Sequence, residues 1–139
     1  MITRRDLEAY RYRETELEQQ FSKLKMWQNR LTRIHTAYGS GRTASQQESL
    51  NLQRLVTEIE SRIEELSDKY REVDCLIEQI PDPKIKAVMT QYYVLCAEDW
   101  EEVAAVLGLP KRTVYRLHGY GLEVIRRIQE KELFGTKSY

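Results

Sequence analysis

Cysteine is scarce in this sequence, which has two in 139 residues, Cys75 and Cys96, in apolar helical contexts and without a CxxC spacing. Histidine is equally rare, with His35 and His118 far apart in the chain. Neither a zinc site nor a disulfide framework is expected from so few donors. Prolines number three and glycines six, so long stretches run without a breaker. No run of about 18 apolar residues occurs, and the opening MITRRDLEAY lacks the apolar centre of a signal sequence. The expectation is a soluble cytoplasmic protein with no membrane association. An excess of charge of either sign is also missing, with 22 Lys+Arg against 22 Asp+Glu, so any affinity for a polyanion must come from local clustering.

Catalytic signatures are absent as well. No acid or histidine cluster has metal-ligand spacing and no GxSxG surrounds a serine. The GSGRT stretch follows a helix rather than a strand and lacks the GK[ST] ending of a phosphate loop, so it reads as a turn. Neither an enzyme nor a cofactor is expected.

What is present is helical periodicity, and the fold class it implies is all-α. From about Thr3 to His35, Leu7, Tyr10, Leu17, Phe21, Leu24 and Leu31 recur at spacings of three and four, with Glu14 and Gln28 as polar interruptions. This reads as one long amphipathic helix. TAYGSGRTAS, residues 36 to 45, cannot sustain it and suits a chain reversal. From Ser45 the stripe is cleaner, with Leu52, Val56, Ile59, Ile63, Leu66, Tyr70, Val73, Ile77 and Ile80 alternating without a break. Two helices of this kind joined by a short loop fold most simply as a long antiparallel, coiled-coil-like hairpin over residues 1–80. Ile34, Leu55 and Leu76 widen its stripe beyond a two-strand seam, so pairing is expected, with a homo-dimer through the long helices or contact with another protein.

The breaker PDP at 81–83 opens a second module, residues 81–139, with Asp82 as N-cap and Pro83 at the first helical position. Helices are expected over about 83–96, 99–107 and 110–133, with FGTKSY frayed after them. Asp99 can cap the second of these, with Glu102 reaching back three positions. Val103, Val106 and Leu107 form its inner face, Ala104 is small at a helix crossing, and Gly108 supplies the sharp turn. Trp100 is expected to anchor this corner against Tyr92 or Tyr93. After Pro110, Val114, Leu117 and Leu122 turn inward and leave Lys111, Arg112, Tyr115 and Arg116 outside.

That spacing is the helix-turn-helix pattern, and the outward side chains include donors suited to guanine edges and phosphates of double-stranded DNA. Acids Glu98, Asp99, Glu101 and Glu102 gather on the first helix and Lys111, Arg112 and Arg116 on the second. A plain helical corner does not need that sorting. Arg126, Arg127 and Lys131 suit either the helix dipole or phosphate contact. Arg4, Arg5, Arg11 and Arg13 read as a solvated helix face.

The stretch WEEVAAVLGLPKRTVYRLHGYGLEVIRRI resembles region 4 of bacterial sigma factors. Together with IPDPKIKAVMTQYYV it is similar to the sigma-region-4-like phage regulators of the ArpU and RinA type, over roughly residues 77 to 128. The resemblance implies a phage or prophage regulator of late genes, at work in a bacterial host cell with RNA polymerase as a possible partner. It places Lys111, Arg112, Tyr115 and Arg116 against the groove and His118 near a phosphate. Departures from the pattern are Pro110 in place of a Ser or Thr, and Gly119 with Gly121, which loosen the helix.

Two functions fit these features. One is a sequence-specific transcription regulator, dimeric because one short helix reads only about 4 to 6 base pairs. The other is a structural or interaction protein such as a small DNA-packaging, terminase-like subunit. The position of the DNA module late in the chain favours the regulator.

Overall fold

The computed structural model describes residues 1–37 and 43–135, and among them the chain is all-helical, with no strand. The elements are α1 (Arg4–Tyr10), α2 (Arg13–Ala37), α3 (Thr43–Glu78), α4 (Pro83–Met89) running into a π-helical turn (Thr90–Val94), α5 (Trp100–Leu107) and α6 (Lys111–Gly135). They form two compact units, Met1–Tyr12 with Lys69–Tyr139, and Arg13–Asp68. The units divide at 12/13 and 68/69, whereas the sequence alone suggested a boundary at 80/81.

The single helix expected from Thr3 to His35 is in fact two, interrupted at Arg11–Tyr12. The start of α1 is locally specified: Thr3 accepts from the Asp6 backbone N–H, and Asp6 accepts from that of Thr3 at 2.9 Å, a reciprocal capping box. Its end is set by tertiary contacts. The Arg11 guanidinium lies 3.9 Å over the Tyr92 ring and donates to the Ala97 carbonyl, while the Arg11 carbonyl accepts from Cys96 Sγ at 3.3 Å. Arg11 is therefore not part of a solvated face. Held from both sides, its backbone cannot stay in the regular ladder.

In the first unit the apolar stripe of α3 continues as buried Tyr70, Val73, Leu76, Ile77 and Ile80. Tyr10 packs edge-on against Tyr70 at 5.9 Å and its hydroxyl donates to Asp74 at 3.4 Å. Asp82 caps α4 as expected, accepting from the Lys84 and Ile85 N–H groups, with Pro83 in the first turn. The π turn inserts one extra residue, marked by the Leu95 N–H bonding Thr90 O at 2.9 Å. It lets the adjacent Tyr92 and Tyr93 both enter the core. Cys96, expected in a helix, instead sits at φ 57 in the left-handed region, exposed at the turn into α5.

In the second unit the stripe of α3 is where the spacing put it: Leu52 and Ile59 are buried and Val56, Ile63 and Leu66 half-buried. On α2 it differs by one register position. Leu17, Leu24, Trp27, Leu31 and Ile34 are half-buried and Gln20 is buried, whereas Phe21 is 53% exposed and Glu14 and Gln28 face solvent. Leu17, Leu24 and Leu31 belong equally to either reading, and polar Gln20 hid the position that replaces Phe21 in the stripe. His35 Nε2 and Ser49 Oγ meet at 2.7 Å. Of residues 36–45, where a reversal was expected, Thr36 and Ala37 continue α2 and Thr43 to Ser45 open α3. Residues 38–42, which hold all of the expected GSGRT turn except Thr43, lie outside the described residues. Phe134 and Gly135, expected to fray, continue α6, and the rest of the FGTKSY stretch lies outside the described residues.

Candidate nucleic-acid interface

The interface begins with the turn between α5 and α6. Asp99 caps α5 by accepting from the Glu102 N–H at 2.8 Å. Glu102 reaches back one residue further than expected, accepting from the Glu98 N–H at 2.6 Å. Gly108 closes α5 at φ 65, a conformation that costs a residue with a Cβ about 1–2 kcal/mol. Its N–H and that of Leu109 both bond Ala104 O. The Pro110 carbonyl accepts from Val114 N–H at 3.1 Å, so Pro110 occupies the capping position, just before the first helical residue.

Packing then fixes the rotation of α6. Val103 and Val114 are fully shielded, Leu117 and Ile125 buried, and Leu122 half-buried. Val106, expected on the inner face of α5, is instead 58% exposed, because the buried ridge follows Trp100, Val103 and Leu107. Gly121 is a crossing point. A Cβ there would lie 2.4 Å from Met89 Sδ and 2.7 Å from its Cγ, and Met89 is completely buried. Gly121 therefore allows α4 and α6 to approach, and α6 runs unbroken through Gly119 and Gly121.

Aromatic rings connect this core to the outer face. Trp100 stacks on Tyr92 with centroids 3.8 Å apart and planes 10° from parallel, as the sequence led us to expect. Arg11 at 3.9 Å must cover the opposite face of the same ring, since one face cannot hold both. Trp100 also lies 5.9 Å from Tyr115 and 4.4 Å from His118.

Four of the five residues proposed for DNA contact emerge on one exposed face: Lys111, Arg112, Tyr115 and Arg116. Positions 112, 115 and 116 share a side of the helix by their spacing, and exposed Tyr120 extends it by one turn, a residue whose aromatic character alone did not mark it. Lys111 is bound to Glu101 at 3.1 Å across the turn, and that hydrogen bond raises its pKa. Glu101 is thus part of the face, although its charge opposes phosphate. Arg112 and Arg116 make no ion pair among the described residues.

His118 is a correction. It is only 6% exposed and shares a 2.7 Å hydrogen bond with the Tyr93 hydroxyl. Burial, with the Arg4 charge added, lowers its pKa to about 4. A neutral imidazole inside the core offers no charge to a phosphate. The burial of the Tyr93 phenol likewise pushes its pKa up. Position 118 lies in phase with Val114, Gly121 and Ile125, the inner stripe.

Further along α6, Arg126 pairs with Glu123 and Glu130, and Arg127 with Glu123 at 3.2 Å. Their charge is offset locally. Among the described residues no group of His, Cys, Asp and Glu could hold a metal ion, and no helix is long and apolar enough to cross a membrane. No protein-family model, curated protein or solved structure matches the chain.

Proposed function

We propose that this chain is a DNA-binding transcription regulator, in which α5 and α6 act as a helix-turn-helix and the first turns of α6 enter the major groove. The observation that carries this reading is the exposed face of Lys111, Arg112, Tyr115 and Arg116 on a helix whose opposite side is locked into the core. Groove recognition needs a rigid helix bearing donors, and phosphate attraction needs cations free of internal partners. Arg112 and Arg116 meet the second condition among the described residues. The stacking of Trp100 on Tyr92, with Tyr115 tilted against Trp100, supports the first.

On the same reading, the resemblance to sigma-region-4-like phage regulators of the ArpU and RinA type makes late phage promoters the target and RNA polymerase a partner, in the cytoplasm of a bacterial host. The role is binding rather than catalysis. We read α2 and α3 as an antiparallel hairpin that pairs two copies, supported by their matching half-buried stripes and the His35–Ser49 bond next to the connection.

The test is selection of duplexes from a random library by the wild-type chain, followed by fluorescence anisotropy with the selected duplex. Replacing Lys111, Arg112 and Arg116 with alanine should weaken binding at least tenfold and reduce the slope of log affinity against log salt by about 2 to 3. Failure of selection to enrich any duplex, or unchanged affinity and slope in a folded variant, removes the reading.

A further inference from the structure

Two glycines stand in the interior of α6, and packing accounts for one of them. Gly121 faces Met89, where a Cβ would meet the buried side chain at 2.4 Å. Gly119 is helical and exposed, and a Cβ built on it would have nothing within 4 Å. Glycine inside a helix is less stable than alanine, because it has more conformational freedom to lose on folding. Among the described residues no close approach offsets that cost at position 119.

The place of Gly119 on the helix points to what approaches it. Arg112, Tyr115 and Arg116 precede it by seven, four and three residues, so all four share one exposed side, turned away from buried Val114, Leu117, Gly121 and Ile125. Tyr115 and Arg116 border position 119 toward the start of the helix and Glu123 toward its end, so the missing side chain leaves a notch that reaches the backbone. The charges at its borders suit a polyanion. Arg116 makes no ion pair among the described residues, and Glu123 is held by both Arg126 and Arg127, the former shared with Glu130. The length fits as well. Over the eight residues from Lys111 to Gly119 a helix rises about 12 Å, which matches the width of a major groove, about 12 Å. A helix that enters by its first turns therefore meets the sugar-phosphate edge of the groove near position 119.

We infer that Gly119 is the point of closest approach between α6 and the sugar-phosphate backbone of duplex DNA. The strand lies in the notch against bare helix, and the absence of a side chain lets Arg112, Tyr115 and Arg116 seat more deeply, the use glycine has wherever a ligand must come close to a backbone. The inference rests on the helix-turn-helix reading and adds to it a contact made without a charged or donor side chain.

The experiment compares the full chain with Gly119→Ala and Gly119→Leu, using thermal melts and fluorescence anisotropy on the duplex that the wild type selects. Stability and affinity should move in opposite directions. Gly119→Ala should melt at a higher temperature than the wild type yet bind about three- to tenfold more weakly, and Gly119→Leu should bind more than about tenfold more weakly while still folded. Affinities of both variants within about twofold of wild type overturn the contact. Equal losses for the two overturn it as well: alanine and leucine restrict a helix alike, so the effect would then belong to backbone flexibility and not to bulk. A lower melting temperature for Gly119→Ala overturns the open space on which the inference stands. In each of these cases the DNA reading survives if the wild type binds its selected duplex and the Lys111, Arg112 and Arg116 alanine variant binds it less well. A selection that enriches no duplex removes the DNA reading and this contact together.

Discussion

Gln129 holds both backbone groups of Ile2, a residue 127 positions away: its Oε1 accepts from the Ile2 N–H at 2.6 Å and its Nε2 donates to the Ile2 carbonyl at 3.0 Å. Both residues are buried, so water cannot replace these bonds. Gln129→Leu would leave a buried donor and a buried acceptor unmatched, at about 1–3 kcal/mol for each. Chemical denaturation should show a loss of about 2–5 kcal/mol with an unchanged denaturant slope. A loss below about 0.5 kcal/mol would mean that α1 is not anchored through this pair.

The two helical glycines of α6 should respond with opposite sign. Gly119 has open space around its Cα, so Gly119→Ala should stabilise by about 0.5–1 kcal/mol by favouring helix and restricting the unfolded chain. Gly121→Ala drives a methyl into the buried Met89 side chain and should destabilise by about 1–3 kcal/mol. Thermal melts of the two variants test this, and a shift in the same direction for both contradicts the close crossing.

His118 gives stability a pH dependence. Its ordinary pKa of 6.5 falls to about 4 in the folded chain, chiefly through burial. Between those values the unfolded chain binds a proton that the folded chain refuses. The contribution of the neutral imidazole is therefore complete above about pH 6.5 and is lost as pH falls toward 4, a change on the order of 3 kcal/mol. His118→Gln keeps hydrogen-bonding capacity for Tyr93 but cannot titrate in this window. Unfolding free energies measured from pH 7 to 4.5 should fall less steeply for the variant, and equal slopes would place the titration elsewhere.

Glu101 restrains Lys111, one of the cations of the proposed DNA-binding face, through their 3.1 Å pair. Glu101→Gln removes a carboxylate from the approach of phosphate and releases Lys111, so duplex affinity should rise about two- to fivefold at low salt. In a Lys111→Ala background most of that gain should vanish. An undiminished gain there would assign the effect to general repulsion, without a role for the pair.

The relation between sequence and structure differs by level. Local signals were readable wherever one short-range force decides: the caps Asp82 and Asp99, the left-handed turn at Gly108, the unbroken stripe of α3 and the outward set Lys111, Arg112, Tyr115 and Arg116 all follow from spacing within a few residues. Errors arose where a side chain suits two environments. Phe21 is apolar and lies outside the stripe, Gln20 is polar and lies inside it, and His118 has a ring that either a phosphate or an aromatic core can accept.

Helix content, the position of the turn before α6 and the character of its outer face were determined by the sequence itself, because backbone hydrogen bonding, chain stereochemistry and three-to-four periodicity operate over one or two turns. Only the tertiary structure decided that α1 ends at Arg11, that Gly121 is a contact point, that His118 is enclosed and that Gln129 secures Ile2. Each depends on groups 25 to 127 residues apart. Burial and hydrogen bonding at such separations are set by which surfaces meet, and the periodicity of one segment carries no record of its partner.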